Sequence, residues 1–362
     1  MHGSRFFVFG PHNDKVHGTM NEGPISIAVD VMGGDNAPAA IIDGVGMALD
    51  VYGDAFHLLL VGDQAATEAE LTRIGKLGDP RLELIPSTEV IEMGEHPVSA
   101  VRHKRDSSIN VAVSQVRNGR ASGLFSAGST GAAVASAYFH LKMLEGIERP
   151  GIATVMPSET GHFLLMDAGA SVDCSPSNLV HYAVMGSIYA QQILKLESPR
   201  VALLSNGTED GKGNRVTQSA FQLLKDVDIN FIGNCEGHDL FSGKVDVVVC
   251  DGFVGNVMLK SCEQLAKSIG HILKNSMMSH WMTKVGGLMA KQAFKELKQK
   301  LDPAEVGGSP LLGVRGTVII GHGISDGRAV CNGIRAAGDA VRQNVNSLIA
   351  EHVRHIEIPI NL

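Results

Sequence analysis

The sequence predicts an α/β fold: a largely parallel sheet with helices on both faces, and a helical hairpin protruding from it. Three observations lead there. Short runs of aliphatic and β-branched residues recur along the chain, most followed by a segment with helical spacing. Some runs, such as Asp246-Val247-Val248-Val249-Cys250, are apolar almost throughout, as strands buried on both faces are. Glycines and polar residues gather just after the runs, at the edge where open parallel sheets bind ligands. The 42 glycines suffice for a tight turn at many strand–helix junctions.

At 362 residues the chain exceeds the size at which one compact core keeps growing, so two lobes are expected within residues 24–351. Residues 1–23 lack the apolar centre of a signal peptide and read as a disordered N-terminal extension, with Met20 nearer the working start. Residues 352–362 read as a tail. The net charge of -7 argues against nucleic-acid binding, which calls for a basic surface. The five cysteines form no CxxC pair, so zinc and thioredoxin-like chemistry gain no support. An odd, scattered set suits a reducing cytoplasm. No apolar run is long enough to span a bilayer.

Taken in order, Ile25 to Val31 reads as a strand, and Met32-Gly33-Gly34-Asp35-Asn36-Ala37-Pro38 as a turn with Pro38 opening a helix. Asp30, Gly33 and Gly34 are expected at the ligand crevice, while Asp35 or Asn36 is expected to cap the helix. Strands follow at His57–Gly62 and, more weakly, Leu82–Ile85. The run Arg102-His103-Lys104-Arg105 is ordinarily a solvated face, but it precedes the central turn closely enough for Arg102 to reach an anion there. A helix is expected over 132–144, then strands over 152–156 and 162–167 as a hairpin across 157–161. Asp167-Ala168-Gly169-Ala170 again sets an acid among small residues after a strand. A helix over 178–194, a strand over 201–206 and a helix over 216–225 come next. After the strand at 246–251, Gly252-Phe253-Val254-Gly255-Asn256 opens a long helix, with Asp251 facing the crevice. A last strand ends in Gly321-His322-Gly323, and one helix from 326 to 350 closes the fold.

The centre is Leu124-Phe125-Ser126-Ala127-Gly128-Ser129-Thr130-Gly131-Ala132-Ala133. It starts as the end of a buried strand and finishes as the start of a helix. Small residues let backbone N–H groups approach a ligand, and the first helical turn offers unpaired donors and a positive dipole end. Ser126, Gly128, Ser129, Thr130 and Gly131 therefore suit an anion, phosphate above all; a turn that is small only for packing is the plainer alternative. His322 can donate to the same anion or serve as a packed turn residue. In the loop Gly207-Thr208-Glu209-Asp210-Gly211-Lys212-Gly213-Asn214, Lys212 lies between two glycines, where its amine can pair with phosphate as a point charge. Asn256, in a first helical turn, can donate an amide hydrogen bond or act as a cap.

Val29-Asp30-Val31-Met32-Gly33-Gly34-Asp35, Ser126 to Ala132, Gly207 to Asn214, Asp251 to Asn256 and Gly321-His322-Gly323 occur in that order. With these motifs the chain closely resembles the bacterial phosphate acyltransferases, the acyl-ACP:phosphate transacylases of phospholipid synthesis, from about residue 25 to about 350. The resemblance implies transfer of a long acyl chain from acyl carrier protein to inorganic phosphate. It also implies a homodimer, a fold similar to phosphotransacetylases and isocitrate dehydrogenases, and neither metal nor cofactor. The family's catalytic lysine and asparagine fall on Lys212 and Asn256, which suits an oxyanion held by preorganised donors. Phosphate is already a nucleophile at neutral pH, and no cysteine has an evident activating base, so a covalent acyl-enzyme is not needed. The rivals are a short-chain acyl-CoA phosphotransacetylase, a dehydrogenase of the related fold, for which no GxGxxG follows a strand, and a non-enzymatic phosphate-binding protein.

The segment 260–300 is rich in lysine, although the chain as a whole is acidic. Apolar residues recur at helical spacing, first at Cys262, Leu265, Ile269 and Leu273, read as core or dimer contact. They continue at Met278, Trp281, Met282 and Val285, read as an exposed tip beside Lys284. Gly286-Gly287 is expected to turn the two helices into the hairpin. Such a tip fits an anionic membrane surface, making the protein peripherally membrane-associated. There its product would pass to a downstream membrane acyltransferase.

Overall fold

The computed structural model describes residues 23–300 and 302–356; the expected N-terminal extension falls almost wholly outside them. In chain order the elements are β1 (Ile25–Asp30), α1 (Ala39–Tyr52), β2 (Phe56–Gly62), α2 (Gln64–Arg73), β3 (Leu82–Pro86), α3 (Pro97–His103), α4 (Ser108–Arg117), β4 (Gly123–Ser126), α5 (Thr130–His140), β5 (Gly151–Ser158), β6 (Gly161–Met166) and α6 (Pro176–Gln192). They continue with β7 (Val201–Leu204), α7 (Arg215–Leu224), β8 (Phe231–Cys235), β9 (Val247–Val249), α8 (Gly252–Met278), α9 (Trp281–Met289), α10 (Lys291–Lys300), β10 (Ser309–Leu312), β11 (Thr317–Ile320), α11 (Gly327–Arg342) and α12 (Val345–Val353).

Among the described residues the strands form one sheet of eleven, in the order β3-β2-β1-β4-β11-β10-β5-β6-β9-β7-β8. Two parallel blocks, β3-β2-β1-β4-β11 and β6-β9-β7-β8, are joined through antiparallel pairings of β11 with β10, β10 with β5, and β5 with β6. Three reversals lie between the blocks, so they run in opposite senses. The carboxyl ends of β1, β4 and β11 therefore leave one edge of the sheet, and those of β6, β9 and β7 leave the other.

Helices cover both faces, as the apolar strands demand. One face carries α4 and α5 through Ile109, Ala112, Val113, Ala133 and Ala137, and the start of α8 through Met258, Leu259 and Cys262. On the other face, α1 and α11 cover the first block and α6, α7 and α12 the second.

Several expectations are corrected. Neither Asp35 nor Asn36 caps α1; Pro38 holds that position without a side-chain bond. The closing helix is two helices, broken at Asn344 with φ +50°, a left-handed conformation that ends α-helical hydrogen bonding. Its second part carries buried Val353 into the expected tail. Helices α3 and α4 and strands β8 and β10, each short, were not legible in the sequence.

The hairpin also differs at its turn. Gly286 and Gly287 lie inside α9, and the chain breaks instead at Ser279-His280, where His280 is extended. The Ser279 hydroxyl donates to the Ser276 carbonyl and the Thr283 hydroxyl to the His280 carbonyl, offering the backbone alternatives to the helix. Gly287 serves packing: a Cβ there would lie 3.0 Å from Met277 Cε, so its absence lets α9 fold back on α8. Met278, Trp281, Met282 and Val285 are all exposed, Trp281 at 74%, and Lys284 is exposed beside them.

Candidate active site

Strands β1, β4 and β11 end abreast, with Asp30 paired to Ser126 and Ser126 to Ile320. Their loops interlock. Ser126 Oγ donates to Asp30 Oδ2 over 2.7 Å and accepts from the Gly128 N–H at 3.2 Å. The Gly321 N–H donates to the Ser126 carbonyl and the Asp35 N–H to the Gly323 carbonyl, both at 2.8 Å. Gly33 permits this closeness: a Cβ there would lie 2.7 Å from Asp30 Oδ2 and 2.8 Å from the Gly128 nitrogen. Gly34 has φ +112°, a region that side chains other than glycine rarely enter.

A cleft of about 10 Å³, room for one water-sized group, opens among Asp30, Gly33, Ser108, Ser126, Gly128 and Ser129. Two helix N-termini converge on it, α4 starting at Ser108 and α5 at Thr130. The N–H groups of Ser129, Thr130 and Gly131 meet no acceptor among the described residues. Asp30 forms the floor at 2% exposure, and its Oδ1 has no hydrogen-bond partner there. Burial pushes its carboxyl up, against the pull of the nearby Ser108 and Ser126 hydroxyls. His322 is exposed, and its Nδ1 accepts from the Ile324 N–H at 3.3 Å, which leaves the proton of the neutral ring on Nε2. A larger cavity of about 360 Å³ lies at the opposite ends of β4 and β11, beside Ser122, Arg315, Thr317 and Asn344, and includes none of the predicted site residues.

The second group forms where Met166, Val249 and Leu203 end abreast on β6, β9 and β7. Asp251 caps α8, accepting from the Val254 N–H at 2.8 Å. Gly255 presses on the turn after β6, where a Cβ would lie 1.9 Å from the Asp167 carbonyl oxygen. This contact fixes the first turn of α8 and with it Asn256, which packs beside Gly169. No described residue hydrogen-bonds the Asn256 amide, and it is half-buried. On the neighbouring strand β7, the Gly213 N–H donates to Asn206 Oδ1 and Asn234 Nδ2 to the Glu209 carbonyl, bracing the lysine loop. The Lys212 side chain is 47% exposed, and its Nζ is 3.9 Å from Glu209 Oε2, a contact weak enough to exchange for a ligand.

The predicted residues thus fall into two groups. Asp30, Gly33, Gly34, Ser126, Gly128, Ser129, Thr130, Gly131 and His322 share one edge; Asp167, Asp251, Asn256 and Lys212 share the other. No hydrogen bond or ion pair among the described residues joins them. Periodicity and motif order reveal strand ends but not the sense in which each strand runs, so the reversal was invisible.

Two crevice residues are corrected. Asp167 is fully buried, and its carboxylate accepts from the N–H groups of Ile152, Gly169, Ala170 and Ser171 at 2.8–3.0 Å. It organises its turn and faces no ligand. Burial pushes its carboxyl up while those N–H groups pull it down. Arg102 does not reach the central turn: its guanidinium lies 4.8 Å over the Phe139 ring, nine residues into α5 and about 13 Å along the axis from Thr130. Pro97 meets the turn instead, its Cγ 2.5 Å from where a Gly131 Cβ would be. Because α3 runs alongside α5 in the same sense, it carries the basic run away from the turn. The unpartnered Asp30 carboxyl oxygen was the feature sequence reasoning missed, since only burial reveals it.

A family model described as "Fatty acid synthesis protein" matches residues 25–348. The chain is 49% identical over 334 residues to a phosphate acyltransferase of Pelotomaculum thermopropionicum, covering 92% of this chain and 96% of that one. The chain belongs to the phosphate acyltransferase family. A phosphate acyltransferase of Bacillus licheniformis is 45% identical over 331 residues, covering 91% of this chain and 98% of that one. This acyltransferase shares its fold with solved phosphotransacetylases. One from Streptococcus pyogenes superposes with a TM-score of 0.61 at 17% identity, over 88% of this chain and 94% of that one. A branched-chain phosphotransacylase from Enterococcus faecalis gives 0.53 at 16% identity, over 88% and 99%. Among the described residues no helix is long and apolar enough to cross a membrane.

Proposed function

We propose that the chain transfers a long fatty-acyl group from acyl carrier protein to inorganic phosphate, giving acyl phosphate for phosphatidic acid and phospholipid synthesis. One observation carries the reading: Lys212 and Asn256 leave neighbouring parallel strands at one edge, and their head groups are almost unengaged. A phosphate oxygen attacks the thioester carbonyl, the C–S bond breaks, and the carrier leaves as its thiol with the proton that phosphate gives up. Asn256 and Lys212 hold the oxyanion, while the Ser126–Gly131 turn holds phosphate through N–H groups and hydroxyls. Direct attack fits the cysteines: burial pushes all five thiols up, away from the thiolate a covalent route requires.

Since one chain sends the two loop groups to opposite edges, the reading assigns the completed site to a homodimer, the phosphate turn of one copy working with the Lys212 edge of the other. Support for pairing comes from α8, whose Val257, Leu265, Ile269 and Ile272 stand more than half exposed, an apolar stripe of the kind interfaces cover. The exposed α9 tip is assigned to an anionic membrane surface, with Trp281, Met282 and Val285 entering the headgroup boundary and Lys284 pairing with lipid charge.

Thioester loss from a panel of acyl-carrier-protein substrates and acetyl-CoA, with and without phosphate, tests the reading. It expects phosphate-dependent loss from the long-chain carrier thioesters; loss from acetyl-CoA alone would replace it with the short-chain activity.

A further inference from the structure

We propose that Asp30 makes the phosphate site at the Ser126–Gly131 turn selective for a protonated anion, accepting phosphate and rejecting sulfate. The proposal rests on the reading that phosphate binds at the Ser126–Gly131 turn. The geometry is that of an acceptor waiting for a donor. Asp30 is 98% buried, taking its 2% exposure, and its Oδ2 is already bound to the Ser126 hydroxyl. The direction of that bond is fixed, because the Gly128 N–H donates to Ser126 Oγ and the serine proton turns to the carboxylate. Oδ1 has no hydrogen-bond partner among the described residues, although the Ser108 hydroxyl and the Met32 and Gly33 N–H groups lie near the carboxylate, and Asp30 lines the cleft onto which the N-termini of α4 and α5 converge.

A tetrahedral anion at the mouth of the cleft places one oxygen inside and the others against the N–H groups of Ser129, Thr130 and Gly131. At about pH 8, above the second ionisation of a phosphate group, inorganic phosphate still carries one P–OH. That hydroxyl in the cleft donates to Asp30 Oδ1 and satisfies a buried acceptor. Sulfate carries no proton and would set its oxygen against a carboxylate oxygen, two acceptors with nothing between them. Leaving buried polar groups unpaired is what allows a hydrogen-bonding site to reject an analogue strongly, whereas size alone discriminates weakly.

Titration calorimetry at about pH 8 with phosphate, arsenate, sulfate and selenate tests this in the wild-type protein. Phosphate and arsenate both carry a proton there, and the other two do not. The expected result is that both protonated anions bind and both unprotonated ones bind about a hundredfold more weakly or not at all. In Asp30→Asn the amide donates to either kind, so the preference should fall to within about threefold. Gly128→Val, which crowds the turn, separates the two levels of the argument. If sulfate binds wild type like phosphate and Gly128→Val abolishes both, the site stands and the role of Asp30 is overturned. If phosphate binding is unchanged in Gly128→Val, the site itself is misplaced and the proposal falls with it. Should Asp30→Asn not fold, the wild-type series of four anions still decides.

Discussion

The Ser126 hydroxyl and the Asp30 carboxylate meet at 2.7 Å, two buried groups 96 residues apart in sequence. Their bond ties the carboxyl end of β4 to that of β1 and sets the shape of the proposed phosphate cleft. It also leaves one carboxylate oxygen without a hydrogen-bond partner among the described residues, which places a destabilising group at the centre of the proposed site.

That cost gives a prediction with a definite sign. Burial raises the Asp30 carboxyl in the folded state, so the folded chain binds its proton more tightly than the unfolded chain does. The resulting penalty is absent below the unfolded value of about 4 and grows as pH rises to the folded value. Asp30→Asn should therefore raise Tm at neutral pH, with the gain vanishing near pH ~4. Thermal unfolding across that range checks it; a gain independent of pH would assign the effect to packing.

Lys212→Ala and Asn256→Ala should each lower turnover by about a hundredfold or more, the scale of one lost oxyanion donor. Both should fold normally, since the Lys212 amine has only its 3.9 Å contact with Glu209 and the Asn256 amide has none among the described residues. Near-normal turnover in either purified variant removes that residue from the site.

Asp167 should behave differently. Asp167→Asn turns an NH2 group toward N–H donors now held at 2.8–3.0 Å, so a loss of about 3 kcal/mol or more in urea unfolding is expected. Turnover per folded molecule should change little. A stable but inactive variant would return Asp167 to the substrate.

These contrasts mark what the sequence could show. Apolar runs placed β1, β4, β7, β9 and β11 because such strands are buried on both faces, and turn chemistry placed Asp30, Ser126, Lys212 and Asn256 at strand ends. Asp167 looked identical to Asp30 in sequence; only the four N–H groups around it distinguish a turn organiser from a cleft residue. Gly286-Gly287 looked like a break because glycine lowers helix propensity, but the approach of α9 to Met277 decided otherwise. The opposite senses of the two parallel blocks depend on β10, a strand of four residues that no local pattern announces.

For the tip, Trp281→Glu with Val285→Asp should abolish flotation with anionic vesicles and leave turnover in solution mostly intact. Both side chains are exposed, so folding is not at stake. Wild-type binding should weaken with salt, because its electrostatic part is screened within about 8–10 Å at physiological ionic strength. Flotation of the double variant like wild type would leave the hairpin without a membrane role.

A homodimeric site should be divisible between copies. Neither Gly128→Val nor Lys212→Ala alone should be active, yet mixed dimers of the two should regain about a quarter of wild-type turnover, since half the dimers are mixed and each keeps one intact site. No recovery on mixing would return both groups to one chain.

The most direct measurement is to follow the phosphorus. Incubated with palmitoyl-carrier protein and phosphate, the protein should generate a new acyl phosphate signal in ³¹P NMR, in step with the free carrier thiol released. Release of thiol with free fatty acid and no acyl phosphate, or at the same rate without phosphate, would contradict the account.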